Sequence, residues 1–248
     1  MMALYRSLVY RELKLTWKHY FLYLVLYSLM GLLFMLPLVL SGEGSFDKKS
    51  GLSYETGKSI IQMFAVLLAL LGAVTSGSTN NVQKMDINSG WKRYSYTLPL
   101  TAGEKAMSDF LLKIVVFLLF GVLSSVFVLG ISYGSGYDVM CFMLNMYLIM
   151  SAEIWLIDAI ESGAVVIGLN SSVVKSVLIT IILLTAIFPV FGINLFTGKI
   201  TNVSTGAEYS VFDLAERSST LIFSISFFVV VCIGYYLIMR KAYERREA

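Results

Sequence analysis

Charge is what this chain has least of. Asp, Glu, Lys and Arg make up only 14% of its 248 residues, while 57% are hydrophobic; soluble domains carry roughly a quarter charged residues. Long runs without charge suit a bilayer rather than an aqueous core. Histidine is reduced to His19, which excludes a histidine-rich metal site and an HExxH metalloprotease. His19 is expected at the membrane interface beside the first apolar run. Cys141 and Cys232 are the two cysteines, both in apolar runs. They form no disulfide framework and no zinc spacing, and are expected to be buried, inert thiols. Of the three prolines, Pro37 and Pro189 fall inside apolar runs. Each removes a backbone hydrogen bond and can kink its helix, although membrane helices commonly carry proline. A Gly-x-Ser-Gly nucleophile is missing, and Tyr137-Asp138 has no GxGD partner. No catalytic site and no metal site are expected. The net charge of +3 is small, and no nucleic-acid partner is expected.

What the chain does have is apolar length. The pattern predicts an all-α polytopic membrane protein with six spans, at about residues 20–40, 59–82, 110–133, 139–160, 173–196 and 219–239. Each matches the roughly 20 residues that cross ~30 Å of hydrocarbon at 1.5 Å per residue. The apolar residues go all the way round these segments, as membrane helices require, and alternating strands of outer-membrane type are not seen. Residues 1–248 read as one transmembrane domain. The first run follows Arg6, Arg11, Lys14 and Lys18 and has no small-residue cleavage pattern, so it is expected to be a retained signal-anchor.

Lys and Arg assign the sides. Four precede the first span, five lie between the second and third (counting Lys84 and Lys113), Lys175 lies between the fourth and fifth, and four lie in the tail. Those fourteen face five on the other side: Lys48, Lys49, Lys58, Lys199 and Arg217. The five are accompanied by Glu43, Asp47, Glu55, Asp138, Glu208, Asp213 and Glu216. The bias predicts that both termini face the cytoplasm. Residues 1–19 read as an interfacial amphipathic helix. Ser7, Arg11, Lys14 and Lys18 recur at i, i+4, i+7 and i+11, and such a stripe suits anionic lipid headgroups. The other reading of this segment is the beginning of one long first helix. The outer loop 197–218 has room for a short amphipathic helix from about Ala207, and residues 132–138 read as a tight Gly-rich turn. The aromatics Trp17, Tyr20, Tyr23, Tyr235 and Tyr236 read as an interfacial belt.

Two features invite a chemical reading. Residues 51–59, GLSYETGKS, resemble a phosphate loop, but five residues separate the glycines where four are needed, and no strand precedes them. No ATP binding by this chain is expected. Glu153, Asp158 and Glu161 lie near the cytoplasmic end of the fourth span, where acids are costly. Asp158 and Glu161 are expected in the headgroup zone as the helix ends, the other reading being ion pairs to Lys113 or Lys175. Glu153 stays open between lining a translocation path and a bland position.

The longest polar stretch, residues 86–113, carries the most information. It reads DINSGWKRYSYTLPLTAGEKAMSDFLLK, with Lys92, Arg93, Lys105 and Lys113 among Trp91, Tyr94 and Tyr96. Thr101 with Glu104 three residues on predicts a capping box that opens the third span. A short helix is expected before the turn at Pro99. Such an element at the membrane surface is something an ATPase can push against.

Here the sequence resembles the permease subunits of bacterial ABC-two-type exporters, in particular those that export phenol-soluble modulins from Gram-positive bacteria. The matching positions are Asp86, Ser89, Gly90, Trp91, Tyr94, Thr97, Leu98, Pro99 and Lys105. The topology match runs the length of the chain and the residue match is confined to this loop. Residues 163–176 depart from the pattern, since only Lys175 is basic there, so a second ATPase contact is not expected. The resemblance implies a half-transporter in the bacterial cytoplasmic membrane. A second copy or homologue would complete it, and separate ATP-binding subunits carrying ATP and Mg would dock on the loop 83–109. Asp86, Ser89, Gly90, Trp91, Lys92, Arg93, Tyr94, Leu98, Pro99 and Lys105 would transmit the coupling. The substrate would be amphipathic or hydrophobic, a peptide or antimicrobial compound. A non-transporting scaffold or sensor, or an ion-coupled transporter using Glu153, are the alternatives.

Overall fold

The computed structural model describes residues 2–41, 54–77, 101–167, 193–194, 199–201, 208–210, 216 and 218–247. Five long helices account for nearly all of them: α1 (Met2–Ser41), α2 (Tyr54–Gly77), α3 (Ala102–Ser135), α4 (Met140–Ile167) and α5 (Ser218–Glu247). Each contains a stretch long and apolar enough to cross a membrane. The protein is a multi-pass, helical membrane protein. Side chains such as Leu33, Val122, Ile222 and Val230 stand exposed on its outside, as a lipid-facing surface requires.

The helix directions follow from their contacts. Tyr27 of α1 meets Phe120 of α3, and Leu38 meets Gly134, so α1 and α3 run parallel. Phe34 of α1 stacks on Phe64 of α2 while Tyr27 reaches Leu68, so these two run antiparallel. Phe110 of α3 meets Tyr236 of α5, and Phe117 meets Phe228; α5 therefore runs against α3. Both chain termini consequently lie at one end of the bundle. α4 and α5 run parallel to each other, with Asn145 beside Ser224 and Gly163 beside Ile238 and Ala242.

Local sequence explains where α3 and α4 start and stop. Thr101 is the N-cap of α3 and forms the expected capping box. Its hydroxyl accepts from the Glu104 backbone N–H at 3.3 Å, and Glu104 accepts from the Thr101 N–H at 2.8 Å. α3 ends at Gly136, whose φ of 81° is left-handed and whose N–H donates to the Ser132 carbonyl at 2.9 Å; glycine takes that conformation without strain. The Asp138 carboxylate then accepts from the Met140 N–H at 3.1 Å as α4 begins. The turn expected over residues 132–138 is shorter than that: α3 continues to Ser135, and only residues 136–139 connect it to α4.

Three further expectations are corrected. Residues 2–41 form one continuous helix rather than an interfacial helix followed by a span. No glycine or proline falls between Met2 and Tyr20, so nothing breaks the backbone ladder before the first apolar run. The helix expected from Ala207 is replaced by a strand. β1 (Ile193–Asn194), β2 (Lys199–Thr201) and β3 (Glu208–Ser210) form an antiparallel sheet in that order, with Ile193 opposite Ile200 and Ile200 opposite Tyr209. Tyr and Ile suit paired extended backbone. Within the fifth predicted span only Ile193 and Asn194 are described, and they are extended rather than helical; residues 173–192 and 195–196 lie outside the described residues.

Several polar side chains inside the bundle are hydrogen-bonded across or along its helices, as a dry interior favours. The Tyr27 hydroxyl donates to the Leu68 carbonyl at 3.2 Å and touches the Ser124 hydroxyl, which donates to the Phe120 carbonyl at 2.7 Å. The Tyr147 hydroxyl donates to the Phe117 carbonyl at 2.7 Å. Ser224 donates to the Asn145 side-chain oxygen at 2.8 Å, joining α4 to α5.

Candidate functional site

Two buried charged residues, Lys113 and Asp158, meet where α3, α4 and α5 come together, toward the end that holds both termini. Lys113 of α3 is fully buried and forms an ion pair with Asp158 of α4, itself 5% exposed. Two rings complete the surroundings of the ammonium. Its Nζ lies 4.3 Å from the centroid of Tyr235 on α5 and 5.1 Å from that of Trp155 on α4, both within cation–π range. Asp158 follows Trp155 by three positions on α4, so both point to the same side of that helix. One helix therefore supplies the anion and one wall, and α5 the other wall. The structure shows Asp158 in the ion pair with Lys113, rather than loose in a headgroup zone at the end of its helix.

Aromatic residues extend this centre along the bundle. Phe117 stacks on Tyr147 at 5.0 Å and on Phe228 at 4.4 Å. Trp155 meets Phe228 edge-on at 5.2 Å and Tyr235 at 5.7 Å. Phe110 meets Trp155 and Tyr235 at 6.2 and 6.5 Å. Tyr235 is fully buried, so its place is this core rather than the interfacial belt expected for it. One turn before Lys113, Asp109 accepts from the Tyr243 hydroxyl at 2.7 Å, a second polar tie from α3 to α5.

Most of the coupling residues are not among those described. Asp86, Ser89, Gly90, Trp91, Lys92, Arg93, Tyr94, Leu98 and Pro99 all fall in residues 78–100, outside the described part of the chain. Lys105 lies in the first turns of α3 and is buried, so it faces the bundle and not solvent. Glu153 is exposed on α4, within the apolar stretch Met140–Ala164 and close to its middle. Arg11, Lys14 and Lys18 all lie in α1, and Lys14 and Lys18 are exposed.

At the other end of the bundle, Lys58 and Gln62 of α2 donate to the two carboxylate oxygens of Glu216, at 2.7 and 2.6 Å. This clasp joins the start of α2 to the chain entering α5. The lysine of the Gly57-Lys58-Ser59 look-alike therefore sits in a helix and is engaged by Glu216. The clasp is not foreseen from the sequence. The only signal for it is that both residues fall on the same, acid-rich side in the charge count. Among the described residues no three His, Cys, Asp or Glu side chains gather closely enough to hold a metal ion.

No protein family, curated protein or solved structure matches this chain.

Proposed function

We propose that the chain is the membrane-spanning permease subunit of an ATP-driven exporter of the ABC-two type, pairing with a second permease and receiving force from a separate ATP-binding subunit. The observation that carries the reading is the continuity of α3. The polar stretch that resembles a coupling element leads directly into Thr101, where the capping box fixes the start of the helix. From there one unbroken helix runs to Lys113 at the junction with α4 and α5, twelve positions on and about 18 Å along the axis. A push on the loop would thus reach the centre of the bundle through a rigid rod.

The chain path supports the six-span reading. α4 and α5 point the same way, so between Ile167 and Glu216 the chain has to return from one end of the bundle to the other. In sequence, residues 173–192 have the apolar length that such a crossing requires. With fourteen of the Lys and Arg assigned to the end holding both termini, the positive-inside rule sets that end in the cytoplasm, and the membrane is the bacterial cytoplasmic membrane. Lys14 and Lys18 on α1 would meet anionic lipid as the helix leaves the bilayer.

Trp91→Ala or Arg93→Glu is the test. Both variants are expected to insert normally and to lose export together with ATPase docking; normal transport by either contradicts the proposal. The second reading, an ion-coupled transporter, draws on Glu153, an exposed carboxylate near the middle of a span, where contact with lipid is costly. Under the exporter reading Glu153 faces the second permease or the path between the two. Transport that persists without any ATPase and fails in Glu153→Gln selects the ion-coupled reading instead.

A further inference from the structure

α1 is the least covered of the five helices: a smaller share of its apolar stretch is buried than in any of the others. Its outward face is ordered along its length. Lys14 and Lys18, one turn apart, are exposed and form no ion pair among the described residues. Trp17 and Phe21 are exposed beside them, with ring centroids 5.3 Å apart. Leu29 and Leu32 follow, exposed as well. At 3.6 residues per turn all six fall within about a third of the helix circumference. Cations, then rings, then aliphatic side chains is the order of parts in a phospholipid read from its headgroup inward: phosphate, glycerol esters, acyl chain. The lengths agree. Lys14 and Phe21 are about 10 Å apart along the axis, enough to cross the headgroup zone, and Phe21 and Leu32 about 16 Å. One leaflet of a hydrocarbon core ~30 Å thick has that depth. Because α1 is one unbroken helix, this order is held by its backbone.

We propose that this face of α1 is a binding site for one anionic phospholipid, in the leaflet at the end that holds both termini. The phosphate sits between the Lys14 and Lys18 ammonium groups, which donate to its oxygens. The glycerol esters lie on Trp17 and Phe21, with the indole N–H as donor to an ester carbonyl. An acyl chain runs over Leu29 and Leu32. Charge selects the occupant. A zwitterionic lipid brings its own cation beside the two lysines. A second copy of this chain, inserted in the same orientation, presents its own Lys14 and Lys18 in a symmetric contact, like charge against like. At the same end of the bundle Arg240 of α5 is already engaged by Glu244 at 2.8 Å, whereas the two lysines of α1 are open to a phosphate. The inference rests on the reading that Lys14 and Lys18 meet anionic lipid, and sharpens a diffuse attraction to one molecule at a fixed place. It does not depend on the exporter reading.

The full-length chain, purified in detergent, is offered equal amounts of phosphatidylglycerol and phosphatidylcholine with matched acyl chains, and the first lipid bound is identified by native mass spectrometry. The wild type is expected to take phosphatidylglycerol with a preference of at least roughly tenfold, from two lysines beside one phosphate. Lys14→Gln/Lys18→Gln is expected to lose the preference; both side chains are exposed, so the variant is expected to fold as the wild type does. Lys241→Gln, which removes an exposed cation of α5 at the same end of the bundle, is expected to keep it. A wild type without preference, or a double variant that retains it, overturns the site. Equal loss in Lys241→Gln and in the double variant also overturns it, since net charge alone then attracts the lipid. A wild-type dimer that carries no lipid and comes apart in Leu29→Ser gives the face to a second copy and overturns it as well. No ATPase and no cargo enter the assay, so a failure of the exporter reading leaves its result unaffected.

Discussion

A lysine ammonium and a carboxylate are among the costliest groups to bury, and this protein buries one of each at the same point. Lys113 and Asp158 are tolerated because each satisfies the other and two aromatic faces cover the cation. Half of this site is legible in the sequence. Lys113 and three acids of the fourth span are conspicuous in an apolar chain, but pairing with Lys113 or Lys175 is only the second reading there, behind a headgroup position for Asp158 and Glu161. Choosing Asp158 over Glu153 and Glu161 needs the rotation of α4 about its axis, which the uniformly apolar surroundings of the span do not encode. The glycines are similarly silent in the sequence until α1 is seen lying on Gly130 and Gly134. A methyl group at Gly134 meets main-chain atoms of Leu38 and Val39, which no side-chain rotation relieves. Gly134→Ala is therefore expected to destabilise the bundle by about 1–3 kcal/mol. Gly234→Ala, where a Cβ meets nothing within 4 Å, is expected to be neutral. Thermal unfolding of the two variants in the same detergent checks the contrast.

At the scale of elements, apolar runs and caps are the legible part. The capping box is readable because Thr101 and Glu104 have the spacing that two reciprocal hydrogen bonds require, and α3 starts where they predict. Thr101→Ala removes the hydroxyl acceptor for the Glu104 N–H and is expected to cost about 1 kcal/mol. Amide hydrogens in the first turn of α3 should exchange roughly fivefold faster, while those around Phe120 stay unchanged. Equal exchange in the first turn contradicts the role given to the cap. α1 was less legible. A cationic stripe on a helix reads the same whether the helix lies in headgroups or stands at the end of a longer one, and only continuity of the backbone separates the two. The strands β1 to β3 were hidden for a different reason. Segments of two or three residues are too short for periodicity to register.

At the scale of the whole molecule, the parallel course of α4 and α5 is the strongest constraint on topology. It favours the proposed six spans, because the chain leaves α4 at one end of the bundle and enters α5 at the other. Reporter fusions read this directly. A green fluorescent protein after Glu247 is expected to fluoresce in the cytoplasm, and an alkaline phosphatase after Asp213 is expected to be active outside it. Activity of the phosphatase at the C-terminus reverses the assignment of sides.

The functional account stands on the loop before α3 acting as receiver of ATP hydrolysis carried out elsewhere. Its most direct test is the ATPase activity that co-purifies with the affinity-tagged chain from its native membrane, compared between the wild type and Arg93→Glu. The account predicts vanadate-sensitive hydrolysis with the wild type and its loss in the variant, with the same amount of chain recovered. Wild-type preparations without such activity, or a variant that retains it in full, contradict the account.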